Sequence, residues 1–400
     1  MAYILDSKIL EKYASVLVNF ALNGGKGIKK GEVVLLEVPE CAKPILIPLQ
    51  KAVLKAGGHY VTNYLPDETA RHFYELAEEH HLDFFPAKLL KGRVDEIDHS
   101  IWIIAEVNKK ELEGVSPEKI MRRNKAFKQY KDWRNEKENA GKFSWTLGMY
   151  GTDAMAKEAG ASIEEYWEQI INACYLDKEN PIEEWKKAST EINRILDKLH
   201  SMKIDKINIK ADKTDLTIKI GKNRKWLGGR GCNIPSFEVF ITPDCRYAEG
   251  HIEFDQPLYR YGNLITGIKL EFKEGKVVRF SAKSGEAILK EMIAVAGADK
   301  IGEFSLTDKR LSRINRFMAE TLYDENFGGE YGNTHIALGS SYPDSYTGDI
   351  SVMEKSDWEK IGFNDSVVHT DIVSIRNRIV TAILKSGESR IIYKDGEFVV

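Results

Sequence analysis

Apolar residues recur in two alternating patterns over the first two hundred positions. Stretches with helical spacing predict helices at 8–22, 45–56, 67–80, 153–159, 162–174 and 181–200. Short, nearly continuous apolar runs between the early helices predict strands at 32–38, 59–64 and 100–105. Strands and helices that alternate in this way indicate parallel βαβ units. We therefore predict an N-terminal α/β domain with a mostly parallel sheet.

The pattern changes after residue 202. Ile207, Ile209, Leu216, Ile218 and Ile220 alternate with polar residues, which is the period of strands with one buried face. Further strands are predicted at 238–242, 251–254, 268–272, 276–282, 379–384 and 390–393, and helices at 285–296 and 310–322. The predicted fold is thus α/β followed by α+β, with a mainly antiparallel C-terminal domain and a boundary near residue 200, giving domains 1–200 and 201–400.

Composition is that of an ordinary globular protein. The 58 basic and 61 acidic residues leave a net charge of only -3, which argues against nucleic acid or an anionic membrane as a partner. The start of the chain lacks the pattern of a signal peptide, and no run approaches the roughly 20 apolar residues that cross a bilayer. The four cysteines are scattered, so we expect buried free thiols. These features predict a cytoplasmic protein.

Ligand-type residues are concentrated near the C-terminus. His369 and Asp371 are two positions apart in a segment rich in valine and isoleucine, so on a strand their side chains leave the same face. His335 lies a short distance upstream. Imidazole together with carboxylate suits zinc, cobalt or manganese better than calcium or magnesium. This stretch therefore predicts a metal site, although a single histidine in an apolar segment more often has a structural role.

Two carboxylates further upstream could complete such a site. Glu238 enters a predicted strand and Glu303 follows Gly302, so both have apolar or turn-forming neighbours rather than charged ones. An acid in such surroundings needs a partner, because an unpaired buried charge is costly. A buried ion pair is the structural alternative. A rival set consists of His251, Glu253 and Asp255, which share one face of another predicted strand. Gly250 and Pro257 flank this strand, as is usual for an ordinary exposed strand.

Several motifs resemble those of the thermophilic-type metallo-aminopeptidases, the family of aminopeptidases T and S. The resemblance covers nearly the whole chain and begins with Leu10-Glu11-Lys12-Tyr13-Ala14 and Lys30-Gly31-Glu32-Val33-Val34-Leu35. Its more specific motifs are Asn233-Ile-Pro-Ser-Phe-Glu238-Val-Phe, Gly302-Glu303, Asp324-Glu325-Asn326, Thr334-His335-Ile-Ala-Leu-Gly339, Tyr342-Pro343 and His369-Thr-Asp371. The resemblance implies a cytoplasmic, homodimeric exopeptidase that carries two divalent ions of zinc, cobalt or manganese.

The resemblance also implies which residues form the site. The metal ligands would be Glu238, Glu303, His335, Tyr342, His369 and Asp371. Glu303 is the expected bridging carboxylate. Glu238 or Glu303 is the candidate proton carrier, but a carboxylate that binds a metal strongly is a poor base, so the sequence leaves this role open. Pairings of Glu238 with His369 and of His335 with Asp371 are possible, but the sequence does not assign them. Tyr342 could bind a metal or stabilise an oxyanion.

The predicted function is removal of the N-terminal residue from peptides by a water that two metal ions activate. The alternative is a catalytically inactive peptide-binding or scaffolding protein with the same fold, which the complete set of ligand-type residues argues against. Phe237 stands where relatives carry a small or acidic residue, so we expect it to alter a substrate pocket. Peptides with a free N-terminus are the expected partners, and nucleic acid and membranes are not.

Overall fold

A computed structural model describes residues 5–400 of the chain. The first four residues, part of the start for which no signal peptide is predicted, lie outside the described residues. The contacts divide the chain into two compact units. The first comprises residues up to Ser189 together with Arg230–Ser236 and Met318–Leu322, and the second comprises Thr190–Gly229, Phe237–Phe317 and Tyr323–Val400. The chain passes between the units several times, and the predicted boundary near residue 200 stays a prediction.

The first unit contains a four-stranded parallel sheet in the order β2-β1-β3-β4. Its strands are β1 Val33–Pro39, β2 His59–Leu65, β3 His99–Ile104 and β4 Ser144–Met149. Helices lie at Ser7–Val16, Lys43–Lys55, Ala70–Leu76, Glu79–Asp83, Ala87–Glu96, Pro117–Ala126, Lys128–Asn139, Asp153–Glu158, Ile163–Ala173 and, continuing into the second unit, Pro181–Ser201. The predicted α/β architecture with a parallel sheet is confirmed.

Local signals in the sequence explain where several of these helices begin. The Ser162 hydroxyl oxygen accepts a hydrogen bond from the backbone N–H of Glu165, and the Glu165 carboxylate accepts one from the backbone N–H of Ser162, which forms a capping box. Pro181 occupies the first turn of its helix, where its missing N–H has no partner to lose. The first helix continues as a π-helical turn over Leu17–Ala21 and ends near Asn23 and Gly24, which have left-handed backbones.

The second unit contains two larger antiparallel sheets. The eight-stranded sheet joins β5 Ile204–Ala211, β6 Thr214–Lys219, β9 Ala248–Glu253, β12 Lys269–Lys273, β13 Lys276–Ser281, β17 Arg378–Leu384, β18 Ser389–Lys394 and β19 Glu397–Phe398. The five-stranded sheet joins β7 Leu227–Gly228, β8 Glu238–Ile241, β14 Ile301–Thr307, β15 Asn333–Gly339 and β16 His369–Ser374, in the order β16-β15-β14-β8-β7. The predicted antiparallel C-terminal domain is confirmed.

The remaining elements of the second unit are short. A separate hairpin pairs β10 Leu258–Arg260 with β11 Asn263–Ile265. Helices lie at Glu286–Ala294, Thr321–Asp324 and Lys355–Lys360, the second of which begins in the portion assigned to the first unit. Turns at 273–276 and 394–396 connect antiparallel strands.

One core connects the two sheets of the second unit. It contains Val239, Phe304 and Ile336 from the five-stranded sheet, and Ile207 and Val380 from the eight-stranded sheet. Side chains alternate between the faces of a strand, so the neighbours of these apolar residues point away from this core. The opposite face of the five-stranded sheet is therefore the one that carries Glu303, His335 and the other ligand-type residues.

The predicted helix at 310–322 is wrong. Residues 309–320 form turns and irregular backbone, and a helix occupies only Thr321–Asp324. Side chains here bind the backbone in place of helical hydrogen bonds: Ser312 Oγ accepts from the N–H of Ile314 and donates to the carbonyl of Asn326, while the Asp308 carboxylate accepts from the N–H of Arg310. Apolar spacing alone did not reveal this competition.

The cysteine prediction is only partly correct. All four cysteines are free, but Cys41 and Cys232 are partly exposed, whereas Cys174 and Cys245 are buried. Burial raises the pKa of the Cys41 thiol to about 12, with a further contribution from Asp67, so this thiol is protonated at neutral pH. Among the described residues, no helix combines the length and apolar character that crossing a membrane requires.

Candidate metal centre

The pairing of four strands brings five of the six predicted site residues together. Ser305 on β14 pairs with His335 on β15, and Glu303 pairs with Ala337. Ala337 in turn pairs with Asp371 on β16. Paired residues in adjacent strands project from the same face, so these side chains lie side by side on the face opposite the core. Glu238, which pairs with Thr307, and His369, which pairs with Gly339, belong to this face as well.

The two histidines converge on a shared carboxylate. His335 Nε2 lies 3.3 Å from Glu303 Oε1, and His369 Nε2 lies 3.5 Å from Glu303 Oε2. His335 Nε2 is also 3.3 Å from Glu238 Oε2, and His369 Nε2 is 3.5 Å from Asp371 Oδ1. Glu238 therefore lies closest to His335, and Asp371 lies closest to His369. His335 Nε2 is also 4.0 Å from Asp371 Oδ1, so the pairing of His335 with Asp371 that the sequence left possible is a close contact as well. Glu303 contacts both histidines.

Backbone carbonyls hold both imidazole rings in one orientation. His335 Nδ1 lies 3.2 Å from the carbonyl oxygen of Glu325, and His369 Nδ1 lies 2.8 Å from that of Ser340. A carbonyl only accepts, so each Nδ1 carries the proton and each Nε2 faces the carboxylates with its lone pair when the ring is neutral. A hydrogen bond of this kind is the usual support of a metal-binding histidine. The donor set thus fits divalent cations.

The ionisation of these groups is strongly coupled. Burial opposes the charged form of His335, but Glu238 and Glu303 outweigh it and raise the pKa of His335 well above its ordinary value. Burial likewise opposes ionisation of His369, yet Asp371 and Glu303 raise its pKa to about 10. Asp371 is held ionised, since His369 lowers its pKa to about 2 against the effect of burial. Without metal, protons on the histidines supply the positive charge that the carboxylates require.

Small residues leave room above the sheet between the ligand-type side chains. Ala337 separates Glu303 from Asp371 across the strands, and Gly339 lies beside His369. A Cβ built on Gly339 would lie 2.1 Å from the carbonyl oxygen of Val368, and its φ of +111° is one that other residues rarely adopt. These positions allow the carboxylates and imidazoles to lean toward a common point.

Tyr342 lies at the edge of the group. Its ring centroid is 4.8 Å from that of His369 and 5.7 Å from that of Phe240. Burial and the carboxylates, Glu303 first, raise the pKa of its phenol well above the ordinary value. The phenol is therefore a hydrogen-bond donor at neutral pH in the metal-free protein.

Sequence reasoning missed Glu325. This residue is buried directly after the short helix Thr321–Asp324, and its carboxylate forms a group with His335 and Asp371 whose ligand atoms lie within 4.8 Å of one another. It lies outside any strand, so no alternation pointed to it. Glu238 and Glu303 were selected because they are acids that do not belong to a charged surface run. Glu325, in the motif Asp324-Glu325-Asn326, could have been selected for the same reason.

Asn326 connects the segment that carries Glu325 to the one that carries Glu238. Its Oδ1 accepts a hydrogen bond of 2.6 Å from the backbone N–H of Phe237. Phe237 itself is fully buried. Its side chain therefore does not line an accessible surface, and the expectation that it alters a substrate pocket stays a prediction.

We expect Glu325→Gln to stabilise the metal-free protein at neutral and alkaline pH. Burial, together with Asp371 and Glu238, raises the pKa of Glu325 well above its ordinary value. The folded protein then retains a proton that the unfolded chain loses, so the free energy of unfolding falls as pH rises above the ordinary glutamate pKa. Glutamine removes this dependence, and the gain should reach about 1–3 kcal/mol at pH 8.

Denaturant unfolding in excess chelator at pH 5 and pH 8 measures this effect. The exposed Glu113 provides the matched control, since Glu113→Gln removes a carboxylate without changing a buried site. A gain of equal size at both pH values, or a loss at pH 8, would contradict the expectation.

The rival set around His251 has a different role. Glu253 lies 3.0 Å from Lys269 Nζ and 3.1 Å from Arg376 Nη2, and Asp255 is 3.6 Å from Arg376 Nε. His251 is exposed. Cationic side chains therefore neutralise these carboxylates, which makes the set a surface ion-pair network.

The site and the fold agree with what comparison with known proteins shows. The family model described as thermophilic metalloprotease (M29) matches residues 6–398. The chain belongs to this family. The predicted family is thus confirmed, and as a member of M29 the protein is a hydrolase of the metalloprotease class that uses a divalent metal.

Curated and solved M29 relatives extend the comparison over the full length. Aminopeptidase AmpS of Bacillus subtilis and aminopeptidase T of Thermus thermophilus are each 27% identical to this chain over 98% of both sequences. The solved structure of wild-type AmpT from Thermus thermophilus matches with a TM-score of 0.83 and 26% identity, covering 98% of this chain and 99% of AmpT. The predicted fold class, α/β followed by α+β, is therefore confirmed by the match to the solved structure of AmpT.

Proposed function

We propose that the protein is an aminopeptidase that removes the N-terminal residue from peptides with the help of two divalent ions. The observation that carries this proposal is Glu303, which turns one carboxylate oxygen toward His335 and the other toward His369. Two-metal hydrolases hold their ions about 3.5–4 Å apart and need a group that reaches both. The M29 membership and the names of the curated relatives support the choice of substrate.

Each ion would have its own set of ligands. We assign Glu238, His335 and one oxygen of Glu303 to the first ion, and the other oxygen of Glu303, His369 and Asp371 to the second. Glu325, beside His335 and Asp371, would add a fourth carboxylate. The negative charge of four ionised carboxylates equals the positive charge of two divalent ions. The buried centre would therefore be close to neutral when both ions are bound.

The donor atoms indicate which metals to test. All are imidazole nitrogens or carboxylate oxygens, a set that suits zinc, cobalt and manganese. Both imidazoles must be neutral to bind, so loading would release protons and weaken as pH falls. Tyr342 would either join one ion as a ligand or direct its phenol toward the oxyanion that forms at the scissile carbonyl.

The bound ions and the residues of the chain would have different roles in hydrolysis. The ions supply the usual two-metal chemistry, lowering the pKa of a bound water and polarising the scissile carbonyl. Glu303 is committed to both groups of ligands, whereas Glu238 belongs to one and also accepts a 3.3 Å hydrogen bond from Ser305 Oγ. Glu238 is therefore the better of these two candidates to take the proton of the attacking water and pass it to the leaving amine, a role that requires only one of its oxygens to bind the first ion.

Selection of a free N-terminus would follow if the substrate amine occupies an open position at one ion. His369 and Asp371 are the partly exposed members of the centre, whereas Glu238, Glu303, Glu325 and His335 are buried. Substrate would therefore approach the second ion.

A homodimer and a cytoplasmic location remain predictions of the resemblance. An inactive peptide-binding protein remains the alternative, and the complete set of donors argues against it.

Aminoacyl amides with free and with acetylated amines test this function. The zinc-, cobalt- or manganese-loaded protein should release ammonia from leucine amide and alanine amide. It should act on the acetylated forms at least about 100-fold more slowly, because the amine could no longer bind. Equal rates on free and blocked substrates would indicate a broader amidase rather than an aminopeptidase. Tight binding of peptides without hydrolysis would favour the inactive peptide-binding protein.

A further inference from the structure

Solvent reaches the five-stranded sheet at three strand positions. Every residue of β7, β14 and β15 is buried. On β16 the partly exposed residues are His369 and Asp371, and on β8 the partly exposed residue is Phe240. All three lie on the face that carries the ligand-type side chains, because Phe240 pairs with Ser305 and Ser305 with His335. The opening of this face is thus lined by two polar ligand-type residues and one aromatic ring.

Phe240 and Tyr342 form a continuous aromatic wall beside this opening. Their ring centroids are 5.7 Å apart at an interplanar angle of 62°, and Tyr342 continues to the ring of His369 at 4.8 Å. Phe240 follows Glu238 by two residues on the same strand, so its ring projects from the same face as that carboxylate. Such edge-to-face contacts fix the orientation of both rings.

A partly exposed phenylalanine next to buried carboxylates needs an explanation. Within the five strands Phe240 is the apolar side chain that is left accessible, while the apolar residues of the other face are buried in the core. Pockets that bind small substrates combine a few polar groups with an apolar lining of this kind. The polar groups here are the ligand-type residues, and the lining is Phe240 together with the ring of Tyr342.

We propose that Phe240 and Tyr342 receive the side chain of the substrate's N-terminal residue, and that the enzyme therefore prefers large apolar or aromatic N-terminal residues. The inference rests on the proposed function, since it places the α-amine at the second ion. The first side chain of a peptide branches from the carbon that bears this amine. It must therefore lie within a few ångströms of His369 and Asp371, which is where the aromatic wall begins.

Charge also favours an apolar residue. The four carboxylates of the centre would be neutralised by the ions, and neither Phe240 nor Tyr342 offers a negative charge to a lysine or arginine side chain. A basic side chain would lose hydration against the two rings and gain only their cation–π attraction, without a carboxylate partner in this wall. A leucine or phenylalanine side chain would instead bury apolar surface. The ring of Tyr342 would contact the substrate side chain as part of this wall, and its phenol hydroxyl would face the metal centre.

Selectivity ratios measured on the metal-loaded protein test the proposal. For the natural sequence we expect kcat/KM to be at least about tenfold higher for leucine amide and phenylalanine amide than for alanine amide or lysine amide. In Phe240→Ala the ratio of leucine amide to alanine amide should fall by about tenfold, and in Phe240→Leu by less. The matched control is Phe280→Ala, which removes a partly buried phenylalanine from β13 of the other sheet and should retain the natural ratio.

A binding measurement separates this inference from the proposed function. Calorimetry of free leucine and free alanine with the metal-loaded protein should show tighter binding of leucine, and Phe240→Ala should remove most of the difference. If amides are not hydrolysed but leucine still binds through Phe240, the proposed function fails, and the binding of an apolar side chain by Phe240 and Tyr342 stands. If hydrolysis proceeds and Phe240→Ala lowers kcat/KM equally for all four amides, the inference is overturned and the function stands. Lysine amide as the best substrate would also overturn it.

Discussion

Removal of divalent metal is expected to abolish hydrolysis of aminoacyl amides, and zinc, cobalt or manganese should restore it. The expected loss is at least about 1,000-fold, because both the activation of water and the polarisation of the carbonyl depend on the ions. Elemental analysis of the reloaded protein should show two ions per chain. Full activity should return only as the second ion binds, since Glu303 is shared by both groups of ligands.

The same titration shows how protons compete with metal. Asp371 and Glu303 raise the pKa of His369 to about 10 in the metal-free protein, so each binding imidazole must give up a proton at neutral pH. Apparent affinity should therefore increase from pH 6 to pH 8. Chelator previously saturated with calcium is the control for effects unrelated to metal removal. Activity that survives complete removal of metal would contradict the proposed mechanism, as would full activity at one ion per chain.

Glu303→Gln is expected to have the largest effect of any single substitution. Glutamine has nearly the shape of glutamate but carries no charge, and its amide nitrogen cannot bind a cation. One of the two histidine groups would then lose its shared oxygen. We expect kcat/KM to fall by at least about 1,000-fold, equivalent to about 4 kcal/mol of transition-state stabilisation, and metal content to fall below two ions per chain.

The metal-free form of this variant should remain folded. Glutamine keeps the size of the Glu303 side chain, and Glu238 and Asp371 remain beside His335 and His369 as charge partners in the absence of ions. Glu271→Gln is the matched control, because Glu271 lies on the eight-stranded sheet with a surface partner, Arg279, 3.2 Å away. A Glu303→Gln protein with two tightly bound ions and ordinary kcat/KM would exclude Glu303 as the bridging ligand.

Periodicity in the sequence predicted much of the fold. The alternation of apolar and polar residues predicted β5 and β6 because each buries one face against the core, and the valine and isoleucine content favoured a strand at β16. The spacing of His369 and Asp371 placed both on one face of β16, as the structure has them. The helix predicted at 310–322 failed because Ser312 and Asp308 bind nearby backbone groups, a local competition that hydrophobic spacing does not record.

The arrangement of the site was harder to predict than its members. Which carboxylate approaches which histidine depends on the register between strands that are far apart in sequence. The pairing of Thr307 with Glu238 and of Ser305 with His335 places Glu238 beside His335, and nothing within either segment specifies this. Glu325 escaped prediction for a related reason: irregular backbone carries it into the centre, and such backbone has no period to detect.

Ala337 has a consequence for interpreting related chains. Its single methyl group lies between Glu303 and Asp371 in the middle of three paired strands. A branched or longer side chain at this position would project into the volume where the carboxylates converge, and the surrounding strands are too closely packed to yield. A chain could therefore retain every ligand-type residue and still be unable to admit the ions. The size of the side chain at Ala337, rather than the presence of the charged residues, therefore determines the volume available to the cations.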